Sequence, residues 1–222
     1  MTPRVQAEWR NRVAAEYRSA ALAADVLRGA IAAGAPEALL HTALRIVRDE
    51  LDHAALSHQA MVALGGDDVP VALDAARLAG GEGPVLARLV DGVVRDFCLG
   101  ETLAVPLFRE MQARAAHPAV VPVLRRILAD EAVHRAFGWD ALDWLLEAHG
   151  EPIRAHVAER LPGWLAGLRA AYAPDPLPEA PPLADAECDA GLLDPARYHA
   201  VFHDTLQGGL ARRLAARGLA VG

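Results

Sequence analysis

The sequence predicts an all-α protein: a four-helix bundle with a long crossover between its second and third helices, followed by additional C-terminal helices. Three observations carry this. Ala and Leu dominate a chain that is 53% hydrophobic but only 5% aromatic, and β-branched residues are sparse, a mixture that favours helix over strand. Apolar residues recur at 3-4 spacing through four long segments, and no segment alternates with a period of two. Each of those four apolar seams is interrupted at mid-height by one glutamate.

Helical periodicity starts near Val5 and lasts to about Ala33. Gly34-Ala35-Pro36-Glu37 then marks a stop and a restart, since Pro and Glu suit the first turn of a helix. The second helix runs from about Pro36 to Leu64 and is ended by Gly65-Gly66. Residues 65–83 are rich in Gly, Asp and Pro and form a connection, with a short helix expected near Val71 to Leu78. A third helix is expected from about Pro84 to Ala116, where His117-Pro118 breaks it and opens a fourth that reaches His149-Gly150. Glu151-Pro152 opens a shorter fifth helix to about Tyr172, with a bend expected at Pro162. Residues 173–184 are Pro-rich and irregular, and a last helix from about Asp194 to Arg217 closes the chain.

Antiparallel neighbours need only a few connecting residues. The stretch 65–83, at about 3.3 Å per residue, can instead cross the full length of helices that span about 45 Å. Helices two and three are therefore expected to run parallel. The expected organisation is a bundle over residues 1–150 and a helical extension over residues 151–222 packed on it.

Lysine is absent, so all 22 basic residues are Arg, the mark of a GC-rich coding bias. A net charge of -7 weighs against a nucleic-acid partner, which needs clustered positive charge. Cys98 and Cys188 form no CxxC pair and support neither a zinc ribbon nor a rubredoxin-like iron centre. No signal peptide is expected at Met1-Thr2-Pro3-Arg4, and no apolar run reaches the roughly 18 residues of a membrane span. A cytoplasmic protein with reduced thiols and no membrane association is the expectation.

The chemistry lies on the seams. Helix one presents Trp9, Val13, Glu16, Ala20, Ala23 and Leu27; helix two presents Leu39, Ala43, Ile46, Glu50, His53 and Ser57. Helix three presents Val90, Val94, Phe97, Glu101, Ala104, Phe108 and Met111; helix four presents Val120, Leu124, Ile127, Glu131, His134 and Gly138. Four carboxylates buried without compensation would each cost several kcal/mol by order of magnitude. No Lys exists to neutralise them and the seams carry no Arg, whereas two divalent cations would balance all four.

The heights agree. Residues equidistant from a hairpin turn lie side by side. Glu16 and Glu50 average to position 33, beside the Gly34 break, and Glu101 and Glu131 average to 116, beside His117-Pro118. Each hairpin thus sets its Glu opposite its own ExxH, whose two ligands project from one helix face. Carboxylate and imidazole donors without thiolate suit iron, with manganese the alternative. The predicted metal ligands, and with them the catalytic residues, are Glu16, Glu50, His53, Glu101, Glu131 and His134.

Both ExxH motifs follow an Asp, and a metal-bound His needs its other ring nitrogen oriented, commonly by a carboxylate. Asp49 is expected to serve His134 and Asp130 to serve His53; the competing reading makes both Asp solvated surface charges. Small residues beside the site, Ala20, Ala23, Ser57 and Ala104, leave room for an organic molecule or for close helix packing. His199 and His203, four apart on the last helix, suit a surface pair better than a metal site, and Phe137, Trp139, Trp144 and Trp164 suit packing of helices four and five.

The pattern Glu, ExxH, Glu, ExxH over Val5 to His149 resembles the ferritin-like di-iron carboxylate superfamily. Cys98-Leu99-Gly100-Glu101-Thr102 and the stretch Asp130 to Leu145, with Gly138-Trp139 and Trp144, are similar to a little-characterised bacterial ferritin-like group. Departures from better-known relatives narrow the choice. Rubrerythrins carry an extra Glu where this chain has Ala104, and arylamine N-oxygenases a third His where it has Ile127. Tyr17 lies off the seam, unlike the radical Tyr of ribonucleotide reductase small subunits. Cage ferritins lack a tail like 151–222, while length and ligand spacing are similar to aldehyde-deformylating oxygenases and to tRNA-hydroxylating relatives, the latter disfavoured by the acidic charge.

The resemblance implies a non-haem di-iron oxygenase or oxidase that uses O2 to oxidise a small organic substrate, fed by a separate electron donor. The alternative is a ferroxidase or peroxide-scavenging, iron-handling protein; a third reading makes the metal purely structural. A homodimer is among the expectations, whereas the iron-handling alternative predicts a large assembly.

Overall fold

The computed structural model describes residues 2–73 and 83–219. Among the described residues there is helix and no strand. Helix α1 (Pro3–Ala32) starts where Thr2 Oγ1 accepts from the Val5 amide, with Pro at its first position, and ends before Gly34 at φ +73°. Helix α2 (Glu37–Ala63) begins after Pro36 with an acidic first turn and stops before Gly65. Residues 74–78 of the short helix expected near Val71 to Leu78 lie outside the described residues, and 71–73 are not helical.

The third long helix is not a uniform α-helix. It divides into α3 (Val85–Asp91), a π-helical stretch π1 (Gly92–Glu101) and α4 (Thr102–Arg114), so it ends two residues short of the expected Ala116. Pro106 cannot donate a backbone hydrogen bond to the preceding turn, and the wider winding ends just upstream of it, at Glu101. Helix α5 (Val121–His149) is followed, across Gly150, by α6 (Glu151–Tyr172), which continues unbroken through Pro162. The last expected helix is likewise composite: α8 (Pro195–Thr205), π2 (Leu206–Leu210) with Gly208-Gly209, and α9 (Ala211–Ala215).

A short helix with no periodic signal, α7 (Asp185–Asp189), ties the tail to the start of the chain. Its buried Glu187 accepts from Thr2 Oγ1 at 2.7 Å and pairs with Arg4 at 3.2 Å. Trp9 Nε1 donates to the Ala190 carbonyl at 3.0 Å, and the amides of Ala116 and His117 donate to the Asp189 carbonyl.

Helix α1 packs along α2, α5 packs on α2, π1 and α4, and α1 also meets α3 and π1. The apolar interior is split in two. One cluster holds Ala23, Val26, Ala43, Ile46, Leu89, Val94, Leu99, Phe137 and Leu142; the other holds Val5, Trp9, Ala60, Met61, Leu103, Met111, Leu124 and Ile127. Along every long helix the chain passes from one cluster to the other. Helices α1 and α5 run one way, α2 and α3–α4 the other, so α2 and α3–α4 are parallel. The six seam residues lie at the crossing point. Outside this, α6 packs on α5, α3 and π1, and α8 on α4 and α6; Phe137, Trp139 and Trp164 join the first cluster with Trp144 against it.

Close approach of π1 to α5 depends on Gly138. A Cβ there would stand 2.7 Å from the Phe97 backbone carbon and 2.9 Å from the Cys98 nitrogen, and the Cys98 thiol donates to the Gly138 carbonyl at 3.1 Å. Alanine gains about 1 kcal/mol of helix propensity over glycine. Backbone atoms cannot yield as a side chain does, so overpacking at about 1–3 kcal/mol outweighs that gain. Thermal and urea unfolding are expected to show Gly138→Ala destabilised by that order, and Gly167→Ala, where a Cβ meets nothing within 4 Å, stabilised by about 0.5–1 kcal/mol.

Candidate metal centre

The layer between the two apolar clusters is made of Glu16 from α1, Glu50 and His53 from α2, Glu101 from the end of π1, and Glu131 and His134 from α5. All are buried except Glu101, which keeps partial solvent contact; both histidines are 0% exposed. Ligand atoms of Glu16, Glu50, His53 and Glu131 lie within 4.8 Å of one another, as do those of Glu50, Glu101, Glu131 and His134. Glu50 and Glu131 belong to both groups. Either group could hold a metal ion.

The histidines are oriented from outside the layer. His53 Nε2 lies 3.1 Å from Asp130 Oδ2, and His134 Nε2 lies 3.4 Å from Asp49 Oδ2, each pair crossing between α2 and α5. A carboxylate only accepts, so Nε2 of each ring donates. In a neutral imidazole the lone pair is then on Nδ1. Nδ1 of His134 is 3.1 Å from Glu50 and 3.2 Å from Glu131, and Nδ1 of His53 is 3.7 Å from Glu50, 3.9 Å from Glu131 and 4.0 Å from Glu16. Among the described residues neither Nδ1 makes a well-formed hydrogen bond, nor do Oε2 of Glu50 and Oε2 of Glu131. Buried lone pairs thus converge on one another, an arrangement that only cations or protons make tolerable.

Protonation follows the same logic. Burial, then the neighbouring Glu50 charge, raises the Glu16 pKa well above the ordinary carboxylate range; burial and Glu131 do the same to Glu101. Glu131 is raised by burial, reinforced by the charges of Glu50 and Glu16 and opposed by a hydrogen bond with Glu101. Burial also works against an ionised Glu50, but the imidazoles of His134 and then His53 beside it prevail and hold it down at about 2. Burial opposes a charged His134, yet Glu50, then Glu101 and Asp49, outweigh it and raise its pKa.

Two arginines complete the assembly, and the sequence reading did not include them. Arg45 Nε donates to Asp49 at 3.2 Å and its Nη2 lies 3.6 Å from Asp130; Arg126 Nη2 donates to Asp49 at 3.3 Å and its Nε to Asp130. Burial disfavours ionised Asp130, but Arg126 and His53 hold its pKa below the ordinary value. A signal for these arginines exists: the repeat extends four residues upstream of each Asp, as Arg45-Ile46 before Asp49-Glu50 and Arg126-Ile127 before Asp130-Glu131.

Other candidates stay outside the layer. Tyr17 is exposed, and the rings of His199 and His203 lie 4.3 Å apart with no third ligand grouped with them among the described residues. Cys98 and Cys188 are free thiols, and burial raises the Cys98 pKa. Ala20, Ala23 and Ser57 are buried and Ala104 is half-buried; a cleft does open between α6 and Leu206, away from these residues.

Two outcomes follow. The raised carboxylates cost the metal-free fold stability as pH rises from the ordinary carboxylate value through their folded values, and the raised His134 contribution is lost over the same rise. The metal-free protein is therefore expected to melt at a higher temperature near pH 6 than near pH 8. The metal-loaded protein is expected to show the opposite order, because cations displace those protons, and loading in weak buffer will release acid. Removing either arginine with Arg45→Ala or Arg126→Ala frees Asp49 and Asp130 to turn away from the histidines, and chelator competition is expected to show metal affinity reduced about 10- to 100-fold. No protein-family profile, curated protein or solved structure matches this chain, so its reading rests on its own residues.

Proposed function

We propose that the chain is a ferritin-like four-helix bundle whose six-residue layer holds two iron ions and uses O2 to oxidise a small organic molecule. The observation that carries the reading is the pair of ligand groups sharing Glu50 and Glu131, each completed by one histidine Nδ1 and one further carboxylate. The parallel course of α2 and α3–α4 supports the bundle topology. Carboxylate oxygen and imidazole nitrogen suit iron, with manganese the alternative, and the layer has no soft thiolate to select copper or zinc. Bound there, ferrous ions would supply electrons to O2, and a separate protein or small reductant would restore them.

The chain's own residues have defined parts in this scheme. Glu16, Glu50, Glu101 and Glu131 would balance the charge of the ions, and Glu16, Glu101 and Glu131 would take up protons when the ions leave. Asp49 and Asp130 keep the Nε2 proton of each histidine in place, so that Nδ1 stays a ligand. The apolar clusters on both sides bury five of the six residues, and Glu101 keeps the layer's partial solvent contact.

Anaerobic loading with Fe(II) followed by rapid mixing with O2 tests the reading. About two Fe(II) per chain are expected to oxidise, with O2 consumed in proportion, and renewed turnover is expected only when reductant is supplied. Glu131→Gln, which removes the charge shared by both groups, is expected to slow oxidation by at least about tenfold, the effect of losing one charged ligand. Continuous Fe(II) oxidation that builds a mineral would contradict it and favour iron handling; iron that is bound but inert to O2 would favour a structural role.

A further inference from the structure

An acidic chain here gathers three arginines that no carboxylate answers. Arg135 of α5 is half-buried, and Arg109 of α4 and Arg213 of α9 are exposed. Trp139 of α5 ties the three helices together. Its Nε1 donates to Thr102 Oγ1 of α4 at 3.1 Å, and the Arg213 guanidinium lies 5.5 Å from its ring centroid. Arg135 is one turn before Trp139 and Arg109 two turns after Thr102, each on the same helix face as its neighbour.

Among the described residues none of the three side chains makes an ion pair or a hydrogen bond. The acids close by in sequence are engaged elsewhere. Glu110 pairs with Arg197, and Asp143 holds Arg217 through both oxygens at 2.6 Å. Asp140, five residues after Arg135, projects about 140° away around the helix. Burial, then the charges of Arg213 and Arg109, lower the Arg135 pKa. Arginine nonetheless keeps its proton at ordinary pH, so three cations stand together with their repulsion uncompensated.

Such a cluster selects an anion that carries more than one charge, and planar guanidinium forks suit the oxygens of a phosphate. An extended acidic protein surface would meet Arg109 and Arg213; the half-buried Arg135 calls for a group small enough to reach in beside it. The fold leaves an opening for one. Arg217 pairs with Asp143, 74 positions away, and Arg213 covers Trp139 at the same spacing, so α9 runs parallel to α5. Continued back one turn, that spacing sets Gly209 of π2 level with Arg135. A Cβ on Gly208 or Gly209 would meet nothing within 4 Å, so the backbone there is bare and open.

We propose that Arg109, Arg135 and Arg213 together bind the phosphate group of a small phosphorylated molecule, on the outer face of α4, α5 and α9 at the height of the π2 glycine pair. None of the three belongs to the glutamate layer, and phosphate binding there does not rest on the oxidative function proposed above.

Calorimetric titration of the full-length protein with inorganic phosphate and with glycerol phosphate, at an ionic strength held constant with chloride, tests this. Both anions are expected to saturate one site per chain. Arg135→Met, which keeps the apolar stem and removes the charge, is expected to weaken binding about 10- to 100-fold, and Arg213→Gln, at an exposed position, at least about threefold. In phosphate-free buffer Arg135→Met is expected to melt at least as high as the unmodified protein, because it relieves the repulsion; added phosphate is expected to raise the melting temperature of the unmodified protein but not of the variant. Absence of saturable binding by both anions overturns the assignment. So does affinity unchanged in Arg135→Met and Arg213→Gln, which would place the anion on the metals, or Arg135→Met melting lower than the unmodified protein without phosphate. Polyglutamate bound in place of phosphate would give the cluster to an acidic protein surface and overturn it as well.

Discussion

Two imidazole lone pairs and four carboxylates face one another across a few ångströms inside an apolar interior, and the rest of the molecule is organised around that electrostatic problem. His134 Nδ1 lies within about 3 Å of oxygens from both Glu50 and Glu131, and neither contact is a sound hydrogen bond. Without cations the conflict is relieved by protons, which is why burial raises Glu16, Glu101 and Glu131 together. With cations it becomes attraction. The two apolar clusters on either side make the problem sharper by excluding water, and they also give the layer its rigidity.

The arrangement is stabilised from its rim inward. Arg45 and Arg126, half in solvent, hold the buried Asp49 and Asp130, and these hold the histidines through the nitrogen that faces away from the glutamates. Because each arginine reaches both aspartates, α2 and α5 are coupled at the height of the layer. Exposed ion pairs alone contribute little. Their effect here is positional, since they fix which ring nitrogen carries a proton. Arg12, buried one turn before Glu16, acts on the layer through its charge, which lowers the Glu16 pKa against the effect of burial.

Much of this was legible in the residues. The helices follow from periodicity and from Gly34, Pro36 and Gly150, because those signals are local. The common height of the six ligand candidates followed from hairpin midpoints, since a rigid helix converts sequence distance into height. What escaped has physical causes. The π winding before Glu101 lies tight against Gly138 and just upstream of Pro106, and the packing against Gly138 is a tertiary contact that no periodicity encodes. Helix α7 is five residues long, held by Glu187 to Thr2 and Arg4 from the far end of the chain. Arg45 and Arg126 lie off the apolar seams and are exposed at their tips, so a search for buried residues passes them by; the doubled Arg-Ile before each Asp-Glu was their only trace.

Crystals grown anaerobically with Fe(II) and measured at the iron absorption edge would test the central claim most directly. Two anomalous peaks are expected, one among Glu16, Glu50, His53 and Glu131, the other among Glu50, Glu101, Glu131 and His134, with Nδ1 of each histidine as the ligand atom. A layer without anomalous density, its histidine Nδ1 atoms hydrogen-bonded to the glutamates instead, would contradict it.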